Sequence, residues 1–392
     1  MRWLGAALPF VGLLTSVASC DVARAQGTAR SQDIETSIRA AGMGGAGAAV
    51  WWGEPGVWGN PAQLGEVRGV RWQEGSTRLV PELLTDAWLR SKRLLLGGGG
   101  LGFSIMGDPI DGLGRTRLDR GSSQGTDPFG NPISLPQGHE LIEAWGAGIS
   151  ILSAVDAFSV LSGHPRDLER NGELSFGYQR KHTRVALAPA STAEADGVDW
   201  GVLGRISPLK WGTEDAALDL DLAVGFSILN ANNAQFFFAS DDVTVPASRI
   251  RREGLSVHAA VPAPWTRRQG AGPGDAFLAL PELFAVGLAF DRERITAGGF
   301  GPGYDVDRFG LEVTLLGILD GRIGRVTDRL GDIDGNTYGF GIAIPVRSWG
   351  AVRYDHARTP VAKDSGLDDT RRNGWSVWLD PVGIWRDARG FH

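Results

Sequence analysis

Apolar positions alternate with small or polar ones over most of this chain. The clearest run is Asp219–Leu229. There Leu220, Leu222, Val224, Phe226 and Ile228 share one face, and Asp219, Asp221, Ala223, Gly225 and Ser227 share the other. Side chains of a strand point to opposite sides in turn, so a period of two predicts strand. The pattern recurs at Leu101, Phe103 and Ile105, at Phe284–Phe290, at Phe309–Leu315 and at Phe340–Val346. Weaker candidates lie at Val67–Trp72, Trp88–Leu96, Leu141–Leu152, Leu174–Gln179, Arg184–Ala188, Val198–Ile206, Leu255–Val261, Gly350–His356 and Trp375–Leu379. The fold class is all-β, with about fourteen strands.

The second face separates two architectures. A soluble sandwich shows water a face of Lys, Thr, Glu and Arg. Here that face is mostly Gly, Ala and Ser, with scattered charges. Such a face suits the inside of a single transmembrane antiparallel β-barrel whose apolar face meets lipid. A soluble sandwich or propeller stays open on periodicity alone. Trp145, Trp200, Trp349 and Trp375, near strand ends, are candidates for interfacial girdles. Connections rich in Gly, Pro and Asp at Gly107–Gly138, Asp241–Glu253, Pro262–Pro281 and Gly321–Thr337 read as loops.

Composition narrows the field. Of 392 residues 57 are Gly, about twice the usual share of ~7%. One Cys excludes an internal disulfide framework, and a net charge of −6 argues against a nucleic-acid partner. The N-terminus has the layout of a secretory signal peptide over residues 1–25. Arg2 precedes an apolar run from Trp3 to about Val17, and Ala23-Arg24-Ala25 offers a cleavage site before Gln26. The run is interrupted by Pro9 and is shorter than the ~20 residues of a spanning helix. Val17-Ala18-Ser19-Cys20 also resembles a lipobox, with Cys20 the residue to be lipidated.

Glycine is densest just after this segment. Arg39-Ala40-Ala41-Gly42-Met43-Gly44-Gly45-Ala46-Gly47 is followed by Val57-Trp58-Gly59-Asn60-Pro61-Ala62. Glycine lets backbone approach backbone and adopt positive φ, and Asn before Pro favours an extended turn entry. This arrangement resembles the N-terminal signature of the PorV/PorQ group of outer-membrane proteins, which is similar to the FadL family of hydrophobic-compound channels. The Gly-rich strands at Leu101, Val224, Tyr338 and Val352 resemble that family's in the same order. The resemblance implies a hatch inside the lumen over residues 26–66, with Arg39, Gly42, Gly44, Gly45, Asn60, Pro61 and Ala62 as its motif, and a barrel over 67–392. The chain departs from the pattern at Trp51-Trp52-Gly53-Glu54-Pro55, at Gln63 and in its penultimate Phe391.

Catalytic chemistry is absent from the sequence. The six histidines lack metal spacing, and neither a nucleophile elbow nor a P-loop occurs. Asp332, Asp334 and Asn336 have some calcium-loop character but read better as a hairpin turn. No cofactor is expected. Arg251-Arg252, Arg267-Arg268 and Arg371-Arg372 are candidate contacts for lipopolysaccharide phosphates, against a plainer reading as solvated loop charge. The expected place is the outer membrane. A Gly/Ala-lined lumen with few charges points to passive transport of a hydrophobic small molecule. The alternative, implied by the resemblance, is a secretion accessory that binds secreted proteins or partner subunits of a secretion system.

Overall fold

The computed structural model describes residues 32, 34–79, 87–106, 116–120, 124–126, 132–134, 138–162, 168, 171–188, 191–213, 216–238, 242–262, 282–297, 303–328, 333–346, 349–361, 369–381 and 384. The signal-peptide region, Cys20, Arg267-Arg268, Asp332 and Phe391 lie outside them. In chain order the strands are β1 (Gly69–Arg78), β2 (Ala87–Gly98), β3 (Leu101–Met106), β4 (Thr116–Arg120), β5 (Gln124–Thr126), β6 (Pro132–Ser134), β7 (His139–Ser150), β8 (Gly172–Ala188), β9 (Ser191–Thr213) and β10 (Ala216–Leu229). They continue as β11 (Gln235–Phe238), β12 (Val243–Pro246), β13 (Ser248–Pro262), β14 (Glu282–Ala297), β15 (Tyr304–Leu315), β16 (Leu319–Asp328), β17 (Asp334–Val346), β18 (Gly350–Thr359) and β19 (Thr370–Leu379). Two helices, α1 (Ile38–Gly42) and α2 (Ile151–Leu161), complete the set, with a 3-10 turn at Pro61–Glu66.

One antiparallel sheet closes on itself, because β1 pairs with β2 on one side and with β19 on the other. β3 and β4 share a single place between β2 and β7, so the ring has fourteen positions. The shared place holds extra chain. Ile105 pairs with Leu94 and Arg117 with Arg90, so twelve residues advance only four positions along β2. On the other side Ile105 pairs with Trp145 and Arg117 with Leu141, again twelve against four. Among the described residues the ladder is therefore interrupted between Met106 and Thr116, where the chain counts eight residues more than either neighbour.

The first strand begins and the last strand ends at the same end of the barrel, where Gly69 and Leu379 approach. This terminal end carries the turns 99–100 and 316–318. Outward positions nearest it are apolar and exposed: Leu174, Phe176 and Tyr178 on β8, Phe284, Leu288 and Phe290 on β14, and Tyr338, Phe340, Ile342, Ile344 and Val346 on β17. Five outward residues on β17 cover about 26 Å of strand, or about 20 Å of height at a tilt of about 40°. Towards the far end the outward positions turn charged: Arg180 and Arg184, Arg292 and Arg294, Arg325, Arg371. Aromatic rings mark the change. Trp145 lies 5.9 Å from Tyr178, Trp200 lies 5.3 Å from Phe226, and Tyr354 lies 4.8 Å from Trp375. An apolar belt bounded in this way is the surface of a membrane-spanning barrel. Ile342→Arg, in the middle of the belt, is expected to cost about 2–4 kcal/mol in urea unfolding from vesicles, against about 0–1 for Asn336→Arg beyond it.

Three readings of the sequence are corrected here. Asp241–Glu253 and Gly321–Thr337 are not loops, since they contain β12, most of β16 and the starts of β13 and β17. Leu174–Gln179 and Arg184–Ala188 are one strand, β8, whose outward Arg180 and Arg184 break the apolar pattern above the belt. The paired arginines divide between faces, as alternation requires. Arg251 is exposed while Arg252 is buried against Glu35, and Arg372 donates inward to the Glu35 carbonyl at 2.7 Å. Only one member of each of these two pairs faces outward.

Candidate functional site: the plugged lumen

Residues 34–67 lie inside the barrel and are almost wholly buried. The wall is glycine where this segment presses on it. A Cβ on Gly102 would meet the Leu64 carbonyl, one on Gly177 the Pro61 carbonyl, and one on Gly225 the Ala48 carbonyl. The inward Gly/Ala/Ser face thus has a specific use, to admit backbone of the N-terminal plug. Gly44 and Gly45 hold φ of 71° and 77°, a region costly for side chains with a Cβ. The plug turns there beneath β15 and β16.

Each motif residue has a defined place. Gly42 packs on the Gly339 Cα, and the Thr337 hydroxyl accepts from the Gly44 N–H at 2.8 Å while donating to the Gly42 carbonyl at 2.9 Å. Gly45 lies under the Arg308 side chain, which donates to the Gly44 carbonyl at 3.0 Å. Asn60 caps the 3-10 turn by accepting from the Ala62 N–H at 3.0 Å, with Pro61 in the first turn. Its amide donates to the carbonyls of Ala48 at 2.6 Å and Val202 at 3.1 Å, so one side chain ties two parts of the plug to β9. Asn60→Ala leaves these buried acceptors unpaired, and a loss of about 1–3 kcal/mol is expected. Thermal unfolding in detergent checks it, and Asn60→Asp, which sets a buried carboxylate oxygen against the Ala48 and Val202 carbonyls, should lose at least as much.

Arg39 anchors the centre. It reaches Glu312 of β15 through Nε at 2.9 Å and Nη2 at 2.5 Å. Glu312 also accepts from the Trp52 indole at 2.9 Å and from Arg322 at 2.6 Å. Arg322 continues to Asp355 at 2.6 Å, and Arg353 joins Asp320 and Asp355 at 2.6 and 2.7 Å. A second group ties Arg252 to Glu35 and Glu293 at 3.3 and 3.5 Å, with Arg308 on Glu293 at 2.7 Å. Asp291 accepts from the N–H groups of Gly47 and Ala48 at 2.7 and 2.8 Å. In the plug itself, the carboxyl of Glu54 is pushed up by burial first and by Asp355 second, against the pull of Arg353 and Arg71. The expectation of a lumen with few charges is therefore corrected. Partners for buried charges come from strands far along the chain, which composition does not reveal.

The densest ionic groups occupy the sector from β13 to β18, and a further buried pair, Lys181 with Asp199 at 2.9 Å, joins β8 to β9. Across from the largest of these groups, Trp58 packs with Met106, Ile142 and Ala144, with the Arg93 and Lys181 cations over its ring at 5.8 and 5.1 Å, and Leu89 and Leu118 are buried as well. This mainly apolar sector, edged by two cations, backs the interruption between β3 and β4. Farther up, the β11–β12 hairpin lays Phe236 and Phe238 on the inward residues Val185, Ala193 and Ala195. A cavity of about 30 Å³ lies between plug and wall, lined by Thr36, Glu54, Ser91, Arg93, Met106 and Asp355 among others. Such a space holds a water and not an organic solute.

No protein-family model matches the chain, and no curated protein matches it. Several solved barrels are similar in fold. The Pseudomonas putida toluene transporter TodX is 12% identical with a TM-score of 0.38, over 86% of this chain and 95% of that one. A Pseudomonas aeruginosa FadL homologue is 11% identical with a TM-score of 0.40, over 91% and 98%. The translocator domain of the autotransporter NalP from Neisseria meningitidis is 9% identical with a TM-score of 0.30, over 80% and 88%.

Proposed function

We propose that this protein is an outer-membrane channel for a small hydrophobic molecule, with residues 34–67 as its hatch. The observation that carries the reading is the apolar cluster of Trp58, Met106, Ile142 and Ala144, edged by the Arg93 and Lys181 cations and set where β3 ends and β4 begins. A solute crossing along the axis would have to pass the Arg39–Glu312–Arg322 groups. One that enters the apolar sector can leave sideways, where β3 and β4 part, into the hydrocarbon layer. Small movements of the hatch around Trp58 are enough to connect the two. The solute needs no energy source, since it passes down its own gradient.

Removing residues 107–114 brings β3 and β4 into one register against both β2 and β7. The test compares uptake of an aromatic hydrocarbon and a long-chain fatty acid by cells carrying the intact chain, the deletion or neither. The deletion is expected to fold, shown by heat-modifiable gel mobility, and to lose uptake to the level of cells without the protein. Full uptake by the folded deletion would overturn the lateral route. Equal uptake with and without the intact protein would overturn the transport reading itself, and would return attention to a partner protein.

A further inference from the structure

α2 lies at the terminal end and takes no part in the transport reading. Its eleven residues, about 16 Å of helix, read ILSAVDAFSVL and contain a single charged side chain. That side chain, Asp156, is turned inward, where it accepts from the Leu168 N–H at 2.6 Å. Ile151, Val155 and Phe158 fall on one stripe of the helix by their spacing. All three are exposed, Phe158 to 71%. A helix bathed by water carries charge on its open face, and this one carries none.

The barrel holds that face in a fixed position. Ala154 and Ala157 sit against Gly100 and Gly99 of the β2–β3 turn. The Glu173 carboxylate of β8 accepts from the N–H groups of Leu152 and Ser153, both at 2.8 Å, and so caps the helix start. The stripe also continues the lipid-facing belt. Ile149, two residues before Ile151, is an outward belt residue of β7, and it pairs with outward Leu101 of β3. The structure assigns α2 to the bilayer: we infer that Ile151, Val155 and Phe158 dip into the headgroup–acyl boundary of the leaflet at the terminal end. There they would fix the depth of the barrel beside its interrupted wall. The apolar stripe, its continuity with the belt and the inward Asp156 together favour lipid over a protein partner.

The test uses the full chain with Cys20→Ser, which removes the only cysteine. Single cysteines are then placed at Val155→Cys or Phe158→Cys and spin-labelled. References are Phe103→Cys in the belt and Thr244→Cys at the far end. Each folded variant is reconstituted in vesicles of phosphatidylethanolamine and phosphatidylglycerol. Collision of the nitroxide with oxygen is compared with collision with a water-soluble nickel chelate. The oxygen-to-nickel ratio at 155 and 158 is expected within about twofold of that at 103, and about fivefold or more above that at 244. A ratio at the level of 244 at both sites would overturn the assignment. So would a ratio that falls in native membranes because a protein covers the face. Two positions on one stripe keep the test decisive if one variant fails to fold. The readout concerns α2 alone, so it fails or succeeds independently of solute uptake.

Discussion

Glu312→Ala is expected to destabilise the folded barrel by about 3–5 kcal/mol, because it strips a buried anion from two buried guanidinium groups at once. Glu312 accepts from Arg39, Trp52 and Arg322. Arg322 keeps Asp355 and Asp320 after the change. Arg39 keeps the Glu54 carbonyl at 3.5 Å and the face of the Trp52 ring at 5.7 Å, but no anion. The loss therefore falls mainly on the hatch. Arg39→Ala should cost less, about 1–3 kcal/mol, since Glu312 retains Arg322 and Trp52. Urea unfolding in vesicles gives the order. Planar-bilayer recording supplies the functional reading: bursts of ionic conductance for Glu312→Ala where the intact protein is silent. Equal, small effects of both substitutions, with no conductance, would mean that the ion pairs do not hold the hatch.

Wall glycines should give an effect of comparable size by shape alone. Gly177→Val places a branched side chain where the backbone of Pro61 and Ala62 now lies. Overpacking of this kind costs about 1–3 kcal/mol, and here the softer partner is the hatch rather than a hydrogen-bonded strand. Gly177→Val combined with Gly225→Val, which strikes Ala48, is expected to expel much of the hatch and leave a closed, heat-modifiable barrel with steady conductance. Gly321→Ala is the control. Its Cβ meets nothing within 4 Å, so stability should stay within about 0.5 kcal/mol. If the double variant stays closed to ions, the contacts at Gly177 and Gly225 do not seat the plug.

The sequence carried the barrel because alternation is a local property. Asp219–Leu229, Phe284–Phe290 and Phe340–Val346 each show their two faces within a few residues. β16 hid its nature. Its outward row includes Gly321 and Arg325 and its inward row Asp320 and Arg322, so it reads as a polar loop. β8 was divided where its outward charges rise above the belt. The division of β8 offsets the hidden β16, so the alternation still shows about fourteen strands. α2 is a short apolar run, and such runs do not separate helix from strand by periodicity. The ionic interior was illegible for another reason. Arg39 and Glu312 lie 273 residues apart, and no local pattern links them. Of the motif, the sequence offered small residues and a turn; the roles of Asn60 as a double donor and of Arg39 as an anchor needed the opposing strands.

The separation of those partners also constrains the order of assembly. The hatch leaves the ribosome before any strand, yet Gly44 is held by Thr337, 293 residues later. Contacts this distant form late. The seam between β1 and β19 joins the first strand to the last, and β1 follows directly on the hatch. Once the seam is zipped, the sheet is a closed ring of strands around the hatch. The hatch must therefore be carried inside the incomplete sheet while β16 to β19 are being added, and seam closure is the step that imprisons it. A chain that closed too early would be an empty barrel with residues 34–67 left outside, well paired in its backbone yet lacking the contacts of Arg39 and Asn60.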